Sequence, residues 1–456
     1  MDQEPPSFAQ APRLRRPWAR SARPIPARVI QPLAEFLHRE ATGGIILAAS
    51  AVLALIWANL APASYTGFWE THISVSLGAW GHSEDLRHVV NDGLMALFFF
   101  VIGLEVKREL TTGELSSRRA ALLPLCAAAG GMLVPALIFV SLNAGTSGGE
   151  AARGWGVPMA TDIAFALGML ALLGQRAPLA LKALLLGIAV IDDIGAIIIV
   201  ALFYTGKLSA TWLLAAGALL GVMYVLQRVH VRALMPYVVL GFGVWLAVYE
   251  SGVHATIAGV ALGLLTPTTP FQRGDAVSIV AEQIATATKD DPDDPDKDAR
   301  HWRSLAWLSR EAASPLARLE HALHPWTSWV VLPLFALANV GIIIDRSAVQ
   351  DVVTSSVGLG IVLGLVAGKP LGIILGSVLA VRLGLASLPD GVRWKHVLGI
   401  GAFAGIGFTM SLFIAQLAYS DPALGATSTM AVLVASVASA LLGAIVLRTG
   451  RFRADG

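Results

Sequence analysis

The chain has 456 residues, 55% of them hydrophobic and only 14% charged, with a mean hydropathy of +0.67. Soluble domains carry roughly 45–50% apolar and about 25% charged residues, so a charged skin over several cores is excluded and lipid is the expected solvent for most of the chain. With 33 Lys plus Arg against 31 Asp plus Glu, the net charge of +2 leaves no large single-sign field for nucleic acid, and a single cysteine, Cys126, excludes an internal disulfide and a four-cysteine metal site.

Residues 1–40 hold seven prolines and seven arginines and no apolar signal-peptide core, which reads as a disordered cytoplasmic tail. Stretches near the ~20 apolar residues that cross ~30 Å of hydrocarbon then follow. They lie at 41–60, 90–107, 120–142, 154–175, 179–204, 210–227, 233–250, 253–268, 326–344, 355–381, 396–418 and 424–447. The expected fold is therefore an all-α polytopic membrane protein of twelve transmembrane helices, eight within 41–268 and four within 326–447, ending in a short tail, 448–456. Between the first two spans, 61–89 contains the alternating run Thr71-His72-Ile73-Ser74-Val75-Ser76-Leu77, which suits a strand or hairpin and suits an ordered surface loop equally well. The long loop 269–325 carries an Asp- and Pro-rich run from Lys289 to Asp298. A calcium loop starting at Asp294 fails there, because Ala299 and Leu305 stand where the Gly and the bidentate Glu belong, leaving a solvated linker.

Basic residues test the count independently, since Lys and Arg are retained on the cytoplasmic side. With the N-terminus inside, 28 of the 33 fall in inside segments, four (Arg87, Arg153, Lys207, Arg346) fall outside, and Lys369 lies within a span. A missed or invented span would invert every loop beyond it, so both termini are expected to be cytoplasmic.

Four ionisable residues sit deep in spans: Asp162, Asp192, Asp193 and Lys369. Each costs about 2.5–3.5 kcal/mol on insertion scales and is a functional candidate by default. Asp92 and Glu105 lie nearer the ends of the second span. Neighbours on a helix point about 100° apart, so one of Asp192 and Asp193 can line a water-filled path while the other turns to an adjacent helix, where Lys369 is the deep cation available. Burial disfavours the charged form of each group and pairing favours it, so such a site can exchange protons near neutral pH. Sodium wants the same oxygen ligands.

The fourth span, with Val157-Pro158-Met159-Ala160-Thr161-Asp162, and the eleventh, with Gly399, Gly401, Gly405 and Gly407, read as interrupted helices. They correspond if spans three to five and ten to twelve are inverted repeats. That is the pointer to a midplane ion site in secondary transporters, a rule drawn in part from the family named below. The tenth span repeats Gly360, Gly364, Gly368, Gly372 and Gly376 on nearly one face, which suits close helix packing. Its Gly364 to Pro370 stretch resembles a phosphate loop only superficially: it is one residue short and ends in Pro370, not Ser or Thr, which argues against an ATP-driven pump.

In this setting eight stretches resemble the NhaA sodium/proton antiporters of bacterial inner membranes. They are NDGLMALFFFVIGLEVKREL from Asn91, ATDIAFALG from Ala160, IDDIGAIIIVALFYT from Ile191, SGVHATIAGV from Ser251, RLEHALHPW from Arg318, LPLFALANVG from Leu332, GKPLGI from Gly368 and GIGFTMSLFIA from Gly405. The resemblance implies a six-helix core of inverted repeats with two broken crossing helices, and a panel that makes a homodimer through an outside hairpin. By resemblance, Asp193 would be the principal ligand of transported Na+, with Asp192 beside it as proton carrier and ion-pair partner of Lys369. Asp162 and Thr161 would sit at the crossing. Glu105, Arg108, Glu109, Glu320, His321 and His324 would form a cytoplasmic pH-responsive region, and His254 matches a position linked to pH response. Roughly residues 275–310 look inserted relative to the family, which bears on the pH profile and not on the transport chemistry.

The reading is an electrogenic exchanger that expels Na+ or Li+ against external H+, with the lipid bilayer and a second copy as partners, no cofactor and no enzymatic activity. Two adjacent acids offer more than one proton per cation, so the membrane potential, worth about 2.3 kcal/mol per charge per 100 mV, can drive export. The rivals are a sodium-coupled solute symporter of similar architecture and an intramembrane aspartyl protease. The protease needs two carboxylates sharing a proton across about 3 Å, which the adjacent Asp192 and Asp193 do not supply, whereas Asp162 with Asp193 could in principle form such a dyad.

Overall fold

The computed structural model describes residues 41–77, 80–145, 149–173, 178–206, 208–231, 233–290 and 295–449. The expected N-terminal tail, all but the start of the C-terminal tail, and the centre of the acidic run (291–294) lie outside the described residues. A backbone in hydrocarbon must satisfy its polar groups internally, and the described chain does so almost wholly with helices. Helix α1 (Ala41–Leu60) and the short α2 (Pro62–Trp69) lead to an antiparallel hairpin of β1 (His72–Leu77) and β2 (Trp80–Asp85), in which His72 pairs with Asp85 and Leu77 with Trp80. The alternating run thus forms a strand. Next come α3 (Leu86–Thr111), α4 (Arg118–Asn143), a 3-10 stretch Glu150–Met159, α5 (Ile163–Leu172), α6 (Leu179–Phe203), α7 (Ala210–Arg228), α8 (Leu234–Glu250) and α9 (Thr256–Leu265).

Helices α10 (Gly274–Asp290) and α11 (Pro295–Glu311) then pair with each other. The linker expectation concerned the run 289–298, whose centre lies outside the described residues; the loop on either side of it is helical and amphipathic, with Val277, Val280 and Ile284 on α10 and His301, Leu305 and Leu308 on α11 the less exposed residues. After α12 (Pro315–Trp326), a π-helical turn Thr327–Val331 and α13 (Leu332–Asn339) follow, then α14 (Arg346–Thr354), α15 (Ser356–Arg382), α16 (Trp394–Ala404), α17 (Phe408–Ala418) and α18 (Pro422–Thr449).

Among the described residues eight helices are long and apolar enough to cross a membrane, and the bent pair α16 and α17 makes a ninth. This is a mostly helical, multi-pass membrane protein. The eighth expected span is shorter than 253–268: α9 has 10 residues, because the chain between α8 and α9 turns at Gly252, whose φ of 82° only glycine adopts easily. Helix α8 has 17 residues over the expected 233–250, and α12, the π turn and α13 form one continuous helical run, Pro315–Asn339, into which the expected 326–344 falls for most of its length.

One large buried cluster runs through α1, α3 to α6, α13 and α15 to α18, while α7, α8 and α9 share a separate small one around Met223, Val244 and Ala258. The large cluster is held by backbone contact between α15 and α4. A Cβ on Gly372 would lie 2.1 Å from the Gly130 carbonyl oxygen, one on Gly376 would lie 2.0 Å from that of Cys126, and Gly360 and Gly368 abut Phe139 and Pro135 of the same helix. Small residues at these positions are what let two helices in lipid touch closely. Gly372→Ala is expected to cost about 1–3 kcal/mol or more by overpacking, read as a lowered thermal midpoint in detergent. Gly217→Ala on α7, where a Cβ meets nothing within 4 Å, is expected to leave that midpoint unchanged.

Candidate ion-binding site

Two interrupted helices cross in the large cluster. The first breaks over Ala160 to Asp162, between the 3-10 stretch that contains Pro158 and α5; the second breaks over Gly405 to Gly407, with α16 and α17 bent by 47°. Glycine is needed at the second break because a Cβ on Gly405 would lie 2.4 Å from the Leu365 carbonyl oxygen. The freed backbone groups pair across the crossing. Asp162 N donates to Ile406 O at 2.7 Å, Thr161 Oγ1 to Ala404 O at 2.8 Å, and Ser411 Oγ to Val157 O at 2.7 Å. The Ser436 hydroxyl of α18 accepts from Phe408 N at 3.2 Å.

Asp162 is the joint. Its Oδ1 accepts from Phe165 N at 3.0 Å and so caps α5, while its Oδ2 accepts from Thr409 N at 3.1 Å and Thr409 Oγ1 at 2.5 Å in the first turn of α17. One carboxylate thus faces the positive ends of two half-helices. It is 2% exposed, and all its described partners belong to the crossing.

Beside the joint, the unbroken α6 carries Asp192 and Asp193, which are 1% and 3% exposed. Lys369, 0% exposed on α15, donates to Asp192 Oδ2 in a short ion pair. The adjacent aspartates diverge: Asp192 turns to Lys369, whereas the charges bearing on Asp193 are chiefly carboxylates, those of Asp192, Glu105 and Asp162, with Lys369 the opposing cation. Asp192 Oδ1 and Asp193 Oδ1 are both buried without a hydrogen-bond donor. The Thr161 hydroxyl lies near Asp192 but gives its proton to Ala404 O, so it does not satisfy that oxygen. Three carboxylates and one ammonium leave this pocket short of positive charge, and unsatisfied carboxylate oxygens in a dry interior call for a proton or a hard monovalent cation.

A second cluster forms where the C-terminal turns of α3 meet α12. Arg108 pairs with Glu320 in a short contact and lies 3.5 Å from Glu109, both carboxylates being buried. Glu105 lies one turn along α3 towards the aspartates and is within electrostatic reach of Glu320, Arg108 and Glu109. His321 and His324 on α12 are both exposed, and His324 lies within electrostatic reach of Glu320, Arg108 and His321. Partial desolvation by the neighbouring chain holds the His324 imidazole below its ordinary range, Glu320 opposes this, and Arg108 and His321 add to it. His254 is not part of the cluster. Its Nε2 contacts Tyr204 O at 2.6 Å and it lies near Asp92, roughly 24 Å from Arg108 along α3.

Sequence reasoning placed the charged residues but missed the hydroxyls of Thr409, Ser411 and Ser436. Their signal was present: Thr409 and Ser411 follow the glycine break at the spacing of a helix N-terminus, where hydroxyls satisfy free backbone groups.

Comparison with known proteins gives the site its context. The chain matches the Na+/H+ antiporter 1 family across residues 34–447. It is 46% identical to the Na(+)/H(+) antiporter NhaA of Rhodopirellula baltica over 425 residues, covering 91% of this chain and 93% of that protein. It is also 46% identical to the Na(+)/H(+) antiporter NhaA 2 of Sorangium cellulosum, covering 93% of each chain, and 45% identical to the NhaA antiporter of Oleidesulfovibrio alaskensis, covering 92% and 94%. With a match of this length and a broken-helix crossing packed around buried carboxylates, the chain belongs to the Na+/H+ antiporter 1 family, whose members are transporters and not enzymes.

Proposed function

We propose that this protein exchanges sodium for protons across the membrane, with Asp193 as the principal sodium ligand and Asp192, released from Lys369, as the second proton-exchanging group. The carrying observation is the asymmetry of the two acids: one is neutralised by a buried lysine and the other faces carboxylates, while each keeps one oxygen without a donor. Asp162 and Thr161 hold the crossing in register, setting where the half-helix ends point. Sodium entry displaces protons from the carboxylates, and proton entry displaces sodium, which couples the two fluxes. Because two acids serve one monovalent cation, more than one proton exchanges per sodium and net charge moves, so the membrane potential drives export. Lithium, with the same charge and oxygen preference, is a second substrate.

We place the protein in a bacterial inner membrane with twelve membrane-inserted segments, counting α8, the short α9 and the continuous α12-to-α13 run among them, and with both termini cytoplasmic. Support comes from the distribution of basic residues and from the two helix breaks, which fall in the fourth and eleventh segments as an inverted repeat requires. The β1–β2 hairpin, at the opposite end of α3 from Arg108, suits a homodimer contact on the outside. The Arg108–Glu320–His324 cluster, reached from Asp193 through Glu105, is the proposed pH-responsive element on the inside.

In everted vesicles, sodium is expected to dequench a pH-gradient dye, and Asp193→Asn to abolish the response; equal traces would overturn the site assignment. Lys369→Ala leaves Asp192 without its buried partner, which typically costs about 3–5 kcal/mol. Its thermal midpoint should fall, and the double substitution Asp192→Ala with Lys369→Ala should recover most of the loss.

His324 gives a pH prediction. Its folded pKa is depressed below the ordinary value of about 6.5, so the folded cluster favours neutral imidazole. Stability from that arrangement is complete above the ordinary value and declines as pH falls from there towards the lower folded value, because the unfolded state binds more protons. Exchange is expected to fall off on this acid side, and His324→Gln, which cannot charge, should extend activity to lower pH. Superimposable pH profiles would remove His324 from the switch.

A further inference from the structure

We propose that α11, on the helical hairpin between α9 and α12, is a docking surface for anionic phospholipid headgroups of the adjacent leaflet. The proposal stands on this hairpin alone and does not depend on how the ion site works. At 100° per residue, Trp302, Arg310, Arg303 and Trp307 follow one another within about 140° of one face, with Arg300 at its edge. All five are exposed, the tryptophans at 51% and 49%. The opposite face, with His301, Leu305 and Leu308, is less exposed. Arg303, Ser304, Trp307 and Leu308 line a shallow recess of about 380 Å³.

The chemistry of this face is that of a headgroup contact. A guanidinium takes a phosphate through two parallel N–H donors, a hydroxyl adds a third, and indole rings settle at the boundary between headgroups and acyl chains. Free phosphate would use the arginines and leave Trp302 and Trp307 in water, whereas a phospholipid engages both kinds of group.

The hairpin is also held against the membrane-spanning part of the chain. Phe271 N and Gln272 N donate to Glu311 O at 3.1 and 3.0 Å, and Leu316 N donates to Pro267 O at 3.2 Å, which ties the end of α11 to the segment leaving α9 and to the start of α12. Along the helix, Trp307 and Ser304 lie only about 6 and 10 Å from that tie. Arg310 therefore stands beside the segment leaving α9, and an anionic leaflet at that level would attract the basic side chains of this face within a Debye length.

The test uses full-length protein carrying Cys126→Ser and a nitroxide on Ser309→Cys, an exposed position on the same face but outside the recess. It is placed in nanodiscs of phosphatidylcholine, with or without phosphatidylglycerol. Phosphatidylglycerol is expected to reduce collisions of the label with an aqueous nickel chelate and to raise those with oxygen. Inorganic phosphate added to phosphatidylcholine discs is expected to do neither. The variant Arg300→Gln, Arg303→Gln, Arg310→Gln should lose the response at an unchanged thermal midpoint. Equal collision rates in the two discs, protection by phosphate alone, or a response retained by the triple variant would each overturn the proposal.

Discussion

The ion pair between Lys369 and Asp192 is the constraint to which the rest of the site answers. Neither side chain has appreciable access to solvent, and an isolated charge in such surroundings would neutralise or unfold its helix. Both α15 and α6 pack against α4. The glycines at 130, 372 and 376 allow that approach by letting the α15 and α4 backbones touch. The pair thus links a packing device between helices to a buried charge device. Removing either partner leaves the other exposed to the full cost of burial, which makes the site sensitive to protonation.

The broken helices supply the second half of the arrangement. Their free backbone groups are satisfied by each other and by Asp162, Thr161, Thr409, Ser411 and Ser436, so the crossing is held as one unit by hydrogen bonds. Asp162 has its oxygens committed to helix N-termini, whereas Asp193 keeps one oxygen without a donor. Carboxylates that look alike in sequence therefore have different surroundings: one sets geometry and another is the proposed place of ligand exchange. Small movements of the crossing relative to α6 would change how much negative charge Asp193 faces, which is how access and affinity can be coupled.

Much of this was legible in the sequence because lipid makes rare residues informative. A lysine or aspartate inside a 20-residue apolar run has few explanations, and the four deep charges named from the sequence meet at one place in the fold. The glycine repeat of α15 was legible for the same reason. Less legible were features that depend on three-dimensional satisfaction of backbone groups. Hydropathy alone ran the eighth segment over 253–268, yet the turn at Gly252 shortens its helix to Thr256–Leu265. The acidic run at 289–298 hid the amphipathic flanks of α10 and α11. His254 sorted with the other pH candidates by resemblance but lies at the far end of α3, because residues distant in sequence share a cluster only when their helices meet.

The central claim is that sodium and protons compete for the same buried carboxylates. Proton release from purified protein in weakly buffered detergent, on adding sodium chloride against choline chloride at a series of pH values, tests it most directly. The account predicts release with sodium alone, saturating with concentration and absent in Asp193→Asn. Sodium binding without proton release at any pH, or equal release from the Asp193→Asn protein, would contradict it.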